Sequence, residues 1–174
     1  IAVLVFLVAD VHAEKAPDVR PLAPSLLGHW AMDDTKNAHG VGRYGKAIDM
    51  DGRGDYLRLG DLGSVAETTI AFWMKPRNVE KDDFQGLVTT PSWGKGMLHL
   101  PVRAGGIDAY LHLGGSVRAR VRSGPLTDGR WTHVGVTISA ITKQMVLYVD
   151  GVRTDGTRTP GLQKIVLDNM VAGH

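Results

Sequence analysis

Trp131 to Gly151 reads WTHVGVTISAITKQMVLYVDG and holds two apolar alternations joined by a short connecting segment. In the first, Val134, Val136 and Ile138 alternate with His133, Gly135 and Thr137. In the second, Met145, Leu147 and Val149 alternate with Gln144, Val146 and Tyr148. Side chains of a strand point to opposite faces in turn, so a period of two marks a strand with one face against a core. The segment Ser139 to Lys143 then supplies the turn of a hairpin, and Asp150-Gly151 a tight turn at its far end. The expected register sets Val134 near Val149 and Ile138 near Met145, with His133 and Tyr148 on the other side of the sheet. A one-residue slip would exchange the two faces.

Working outward, the same signal recurs. Thr68 to Lys75 places Ile70, Phe72 and Met74 on one face and Thr69, Ala71 and Trp73 on the other, and Pro76 ends it. Further strands are expected at Leu26–Met32, Tyr56–Leu59, Gly86–Thr90, Met97–Val102, Ile107–Leu113, Val117–Arg122 and Lys164–Leu167, most of them bounded by Gly, Pro or other turn residues. Asp33 to Asn37 is turn-prone, Gly40, Gly42 and Gly45 punctuate a loop, and Arg77 to Gln85 is polar. No segment keeps a 3.6-residue apolar period over three turns. The 22 glycines are scattered through the 174 residues, as short strands with many turns require. The expectation is an all-β fold, an antiparallel sandwich of two sheets.

Composition excludes several chemistries. There is no cysteine, so disulfides, thiolate catalysis and cysteine zinc sites are absent together. Lys and Arg total 20 against 18 Asp and Glu, a net charge of +2. The basic residues are dispersed apart from Arg118, Arg120 and Arg122, so nucleic acid is not the expected partner.

Four blocks resemble one family. Gly42–Lys46 (GRYGK) matches a "G-K-x-G-x" lead-in, and Ala47–Leu57 (AIDMDGRGDYL) matches "A-L-x-F-D-G-x-x-D-Y-V". Ile70–Pro76 (IAFWMKP) matches "I-S-x-W-V-K-P". Gly129–Thr137 with Val146–Gly151 matches "W-H-H-V-A-V-T … L-Y-V-D-G". In this order the blocks resemble the laminin-G-like, concanavalin A-like lectin/glucanase jelly roll. The resemblance implies two curved antiparallel sheets packed face to face. The family's Gly/Asp-rich insert after the first strand is compressed here to Asp33–Gly42, and its last strand is missing, which should leave an open edge and exposed core. An isolated chain of this kind is expected to be unstable or to aggregate.

The two ends read as cut. Ile1 to Ala9 is apolar, and Val11-His12-Ala13 fits a signal-peptidase site, so residues 1–13 are read as an incomplete signal peptide. The alternative is a buried strand. The apolar run is too short to span a membrane as a helix. Residues 14–24 carry Pro17, Pro21 and Pro24 and read as a linker, leaving residues 25–174 as the domain. The expected location is secreted, at the cell surface or periplasmic, as one part of a larger bacterial polypeptide.

Candidate chemistry is sparse. The fold's glycoside hydrolases carry a Glu-x-Asp-x-Glu strand with two carboxyls across the scissile bond. Glu14, Glu67 and Glu80 are the only glutamates and none has that spacing. The pairs Asp33-Asp34, Asp82-Asp83 and Asp49/Asp51 are poor substitutes, because neighbours on a strand face apart and the loop pair is solvated. No catalytic residue is expected. The histidines are dispersed with no metal-binding spacing, and Arg53-Gly54-Asp55 reads as a turn rather than an adhesive tripeptide. The resemblance implies that a structural Ca2+ (calcium) could draw on Asp33, Asp34, Asp51 or Asp55, which turns explain equally well. The candidate ligand-binding residues are Trp93, Tyr110 and His112. Ile107, Ala109, Leu111 and Leu113 alternate with Asp108, Tyr110 and His112, an aromatic between polar groups, and Trp93 sits in a loop as a stacking platform. The expected function is a non-catalytic recognition or adhesion module for carbohydrate or an extracellular protein. The alternatives are an accessory domain of a secreted enzyme such as a glycoside hydrolase, or a spacer.

Overall fold

The computed structural model describes residues 2–5, 26–30, 38–50, 54–80 and 84–173. Every regular element among them is a strand. In chain order these are β1 (Ala2–Val5), β2 (Leu26–His29), β3 (Ala38–Val41), β4 (Lys46–Ile48), β5 (Leu57–Gly60), β6 (Ser64–Val65), β7 (Glu67–Met74) and β8 (Gln85–Thr89). There follow β9 (Leu98–Arg103), β10 (Gly106–Gly114), β11 (Val117–Arg122), β12 (Thr132–Ser139), β13 (Gln144–Val149), β14 (Val152–Arg158), β15 (Ile165–Val166) and β16 (Met170–Ala172).

Two six-stranded sheets make a sandwich. The first runs β14-β13-β12-β7-β1-β2 and the second β11-β10-β9-β8-β16-β5. Ile70, Phe72, Val134, Val136, Ile138, Met145 and Leu147 of the first sheet pack against Leu98, Leu100, Ile107, Ala109, Leu111 and Val121 of the second. These alternate positions fill the interlayer, as a twisted two-sheet packing demands. At one edge the sheets are tied by the Arg122 amide, which donates to Asp155 Oδ2 at 2.8 Å.

The β12–β13 hairpin has the expected register: Val134 pairs with Val149, Val136 with Leu147 and Ile138 with Met145. Its connecting turn is held by Ser139 Oγ, which accepts from the amides of Ile141 and Thr142 at 3.2 and 2.9 Å. The same hydroxyl donates to Glu67 Oε1 at 2.7 Å. At the other end Asp150 and Gly151 have φ of 50° and 78°. Two successive positive φ values suit a two-residue hairpin turn, and they lead into β14.

Five strands lie outside the sequence expectations, β3, β4, β6, β14 and β16, and β1 matches only the alternative reading of the first apolar run. The expected loop around Gly40 is the β3–β4 hairpin. β14 (VRTDGTR) is an edge strand with little apolar content, so no alternation announces it. β16 inserts between β5 and β8, extending the second sheet beyond the last strand read from the sequence.

β1 lies between β2 and β7 and pairs with both in parallel, while every other strand pairing described is antiparallel. β1 therefore flanks the first expected strand on one side, and β2 itself ends the sheet. Residues 6–25, including the expected cleavage point and the proline-rich linker, lie outside the described residues. So do Asp33, Asp34, Asp51, Arg53, Asp82 and Asp83.

Candidate ligand-binding face

β10 sends Ile107, Ala109 and Leu111 into the core and Asp108, Tyr110 and His112 to the other side of its sheet, as the alternation requires. These outward side chains are not solvated. Asp108 is 1% exposed, Tyr110 7% and His112 2%. Register explains why. Asp108 lies opposite Arg122, Tyr110 opposite Arg120 and His112 opposite Arg118 on β11. On the other flank Tyr110 lies opposite His99 of β9.

Asp108 is the hub of one end. Arg120 forks onto both carboxylate oxygens, with Nε 2.6 Å from Oδ1. Arg122 donates to the same two oxygens at 3.3 Å. The Tyr110 hydroxyl donates to Oδ2 at 2.5 Å. Burial pushes the Asp108 carboxyl up, but the hydrogen bonds from Arg120, Tyr110 and Arg122 outweigh it and hold the group at about 2. The Arg120 guanidinium also lies 5.0 Å from the Tyr110 ring centroid. Tyr110 is thereby committed: its hydroxyl is bonded and its ring covered, so it is not an exposed platform.

Trp93 dominates the other end. It sits in the loop between β8 and β9, 49% exposed. Its ring stacks on His99 with centroids 3.7 Å apart and planes 10° from parallel, and meets His112 edge-on at 4.6 Å. Phe84, 45% exposed, lies 6.2 Å from it, and the Arg118 guanidinium 5.4 Å.

The loop itself is fixed by backbone. Gly96 N donates to His112 O at 2.8 Å, His112 N to Met97 O at 3.0 Å, and Val166 N to Gly96 O at 2.9 Å. Gly96 has φ of 85°, and a Cβ there would sit 2.6 Å from the Lys164 carbonyl oxygen, so only glycine fits. His99 Nε2 donates to the Ser92 carbonyl at 3.0 Å, which fixes the tautomer of the neutral ring. Burial pulls His99 below the ordinary histidine value, against its Ser92 bond and helped by Arg118. Burial does the same to His112, aided by His99 and Arg118. Neither ring nitrogen of His112 has a partner among the described residues.

The structure thus gathers Trp93 and His112 directly and sets Tyr110 one strand position away. His99 and Arg118 also contact Trp93 in this cluster. Sequence reasoning missed both, although His99 follows the strand alternation and Arg118 opens the one arginine run. No group of three His, Asp or Glu residues is placed to hold a metal among the described residues. Asp33, Asp34 and Asp51 lie outside them. Asp61 and Asp168 do approach closely enough that Asp61 raises the Asp168 carboxyl, but two carboxylates alone make no metal site. Nor does any helix there have the length and apolarity to cross a membrane.

Two sheets that share one core, antiparallel except at β1, define a lectin-like jelly roll, a non-catalytic type of binding module. The chain belongs to the laminin G branch of the concanavalin A-like lectin/glucanases superfamily, whose family model matches residues 51–172. No curated protein matches the sequence. Among solved structures, the receptor binding domain of botulinum neurotoxin D is similar with a TM-score of 0.58 and 17% identity, over 69% of this chain and 33% of that one. The serotype D ligand binding domain in complex with N-acetylneuraminic acid gives a TM-score of 0.55 at 17% identity, over 68% and 31%. The binding domain of botulinum neurotoxin DC in complex with rat synaptotagmin II gives 0.52 at 12%, over 64% and 28%. The chain spans about a third of the length of these solved chains, and the likeness is one of fold.

Proposed function

We propose that this domain is a carbohydrate-recognition module of a larger secreted or cell-surface polypeptide, and that it binds sugar on the β9–β11 face beside Trp93. The observation that carries the reading is Trp93 itself: an indole half in solvent, with its plane fixed by His99 beneath. A fixed, exposed aromatic ring offers apolar contact to a sugar's C–H face at little cost in side-chain ordering. The family's lectin character and the sialic acid complex of a fold neighbour support the same reading.

An oligosaccharide panel titrated against the protein and its Trp93→Ala variant tests it. Binding by the parent that falls at least tenfold in the variant is expected. Equal binding by both, at unchanged melting temperature, would overturn the assignment. Export rests on the leader-like residues 1–13, while β1 draws residues of that same segment into the sheet. N-terminal sequencing of exported protein should begin at Glu14; a mature chain that keeps Ala2–Val5 would overturn the leader reading.

A further inference from the structure

The surroundings of Trp93 carry a charge pattern that goes beyond sugar stacking. The outward positions of β11 are Arg118, Arg120 and Arg122, set about 7 Å apart by the two-residue repeat of a strand. Their facing residues on β10 supply one carboxylate, Asp108, and Arg120 and Arg122 share it. Arg118 faces His112 instead and has no carboxylate partner among the described residues. Lys95, in the Trp93 loop, is exposed and lies toward the same end of β10, beside Gly114. In a chain with a net charge of only +2, this is a local excess of cations rather than a reflection of the whole surface.

Beside Trp93 the buried His112 ring has no hydrogen-bond partner among the described residues, and the Arg118 guanidinium lies over the Trp93 ring, 5.4 Å from its centroid. A guanidinium forks onto carboxylate or sulfate oxygens through paired N–H donors, which an ammonium or a neutral amide does not reproduce. Resting on the carbohydrate reading above, we propose that this face selects an acidic saccharide. Arg118 grips its carboxylate or sulfate, Trp93 carries a sugar ring, and Lys95 adds attraction at the rim. The shared chemistry is an anionic group on a pyranose; uronic acids, sialic acids and sulfated sugars all present it.

The test is a calorimetric titration of the full chain with three acidic probes, trigalacturonate, 3′-sialyllactose and a chondroitin sulfate hexasaccharide. Their neutral counterparts are methyl-esterified trigalacturonate, lactose and desulfated, esterified chondroitin. At least one acidic probe should bind tenfold or more tighter than its neutral form. Arg118→Gln should erase that preference, and Arg118→Lys should restore part of it. Since Arg118 is exposed, the variants should keep the parent's melting temperature. Equal binding of acidic and neutral forms would overturn this inference while leaving the carbohydrate reading intact. An Arg118→Gln variant that keeps the preference would also overturn it. Binding of none of the six sugars would overturn the acidic-saccharide inference and weigh against the carbohydrate reading as well. Competition by a single-stranded oligonucleotide at the same affinity would reveal general attraction to polyanions and would overturn it too.

Discussion

β10 and β12 occupy comparable interior positions in their two sheets, yet their outward faces differ. Outward from β12 are His133, Gly135, Thr137 and Ser139, and all but the glycine keep part of their surface in solvent. Outward from β10 are Asp108, Tyr110 and His112, all buried. The inward faces are equivalent, Val134, Val136 and Ile138 against Ile107, Ala109 and Leu111, each nearly or wholly inaccessible. What separates the strands is cover. The β8–β9 loop folds Trp93 over one end of β10, and the β11 arginines close over the other. A second layer of packing has been built from polar residues on a face that strand alternation would leave to water, and sites are commonly made in this way.

The difference can be broken in stages. The largest effects should come from the inward faces, where the strands are alike. Leu111→Ala and Leu147→Ala each remove a fully buried side chain and should each cost about 2–5 kcal/mol in denaturant unfolding. A loss confined to one sheet would show that the two do not share a core.

On the outward faces the strands should part. Asp108→Asn removes the charge that Arg120, Arg122 and Tyr110 converge on and should cost about 1–3 kcal/mol at neutral pH. The folded Asp108 value, about 2, lies below the ordinary 3.8. Its stabilisation is therefore present above pH ~4 and lost as pH falls toward 2, and the Asn variant should lose that part of the acid sensitivity. Thr137→Val on β12 should stay within about 0.5 kcal/mol of the parent.

The histidines give a smaller, separable effect. His99 and His112 are both held below the ordinary value by burial. As pH falls through about 6.5 the unfolded chain gains protons that the folded chain refuses, so stability declines until the folded values are reached. His112→Leu should remove part of this slope and leave stability at neutral pH unchanged or raised, because the ring's nitrogens have no described partner to lose. His99→Leu forfeits the bond to Ser92 and should be destabilising. Similar costs for both would mean that His112 has a polar partner after all.

The fold was legible because core burial leaves a period of two in the sequence. Val134, Val136 and Ile138, with Met145, Leu147 and Val149, announced the hairpin, its register and its inward face. β14 was not legible, because an edge strand such as VRTDGTR buries little and needs no alternation. The site was legible in part. Alternation put Tyr110 and His112 on one face, but their burial depends on a loop and on β11, and no local pattern encodes that cover. Trp93 stood out as an aromatic among small polar residues; its stacking on His99 is a tertiary contact between a loop and a strand.

The most direct test follows the four tryptophan indole N–H signals by NMR while an acidic oligosaccharide that binds is added. Trp93 caps the β10 face, and Trp73 stands on the outer face of the other sheet, packed against His133 with the ring planes tilted by 57°. The account predicts a saturable shift of the Trp93 signal with the Trp73 signal unmoved. A shift of Trp73 with Trp93 unmoved would place recognition on the opposite sheet and contradict the assignment.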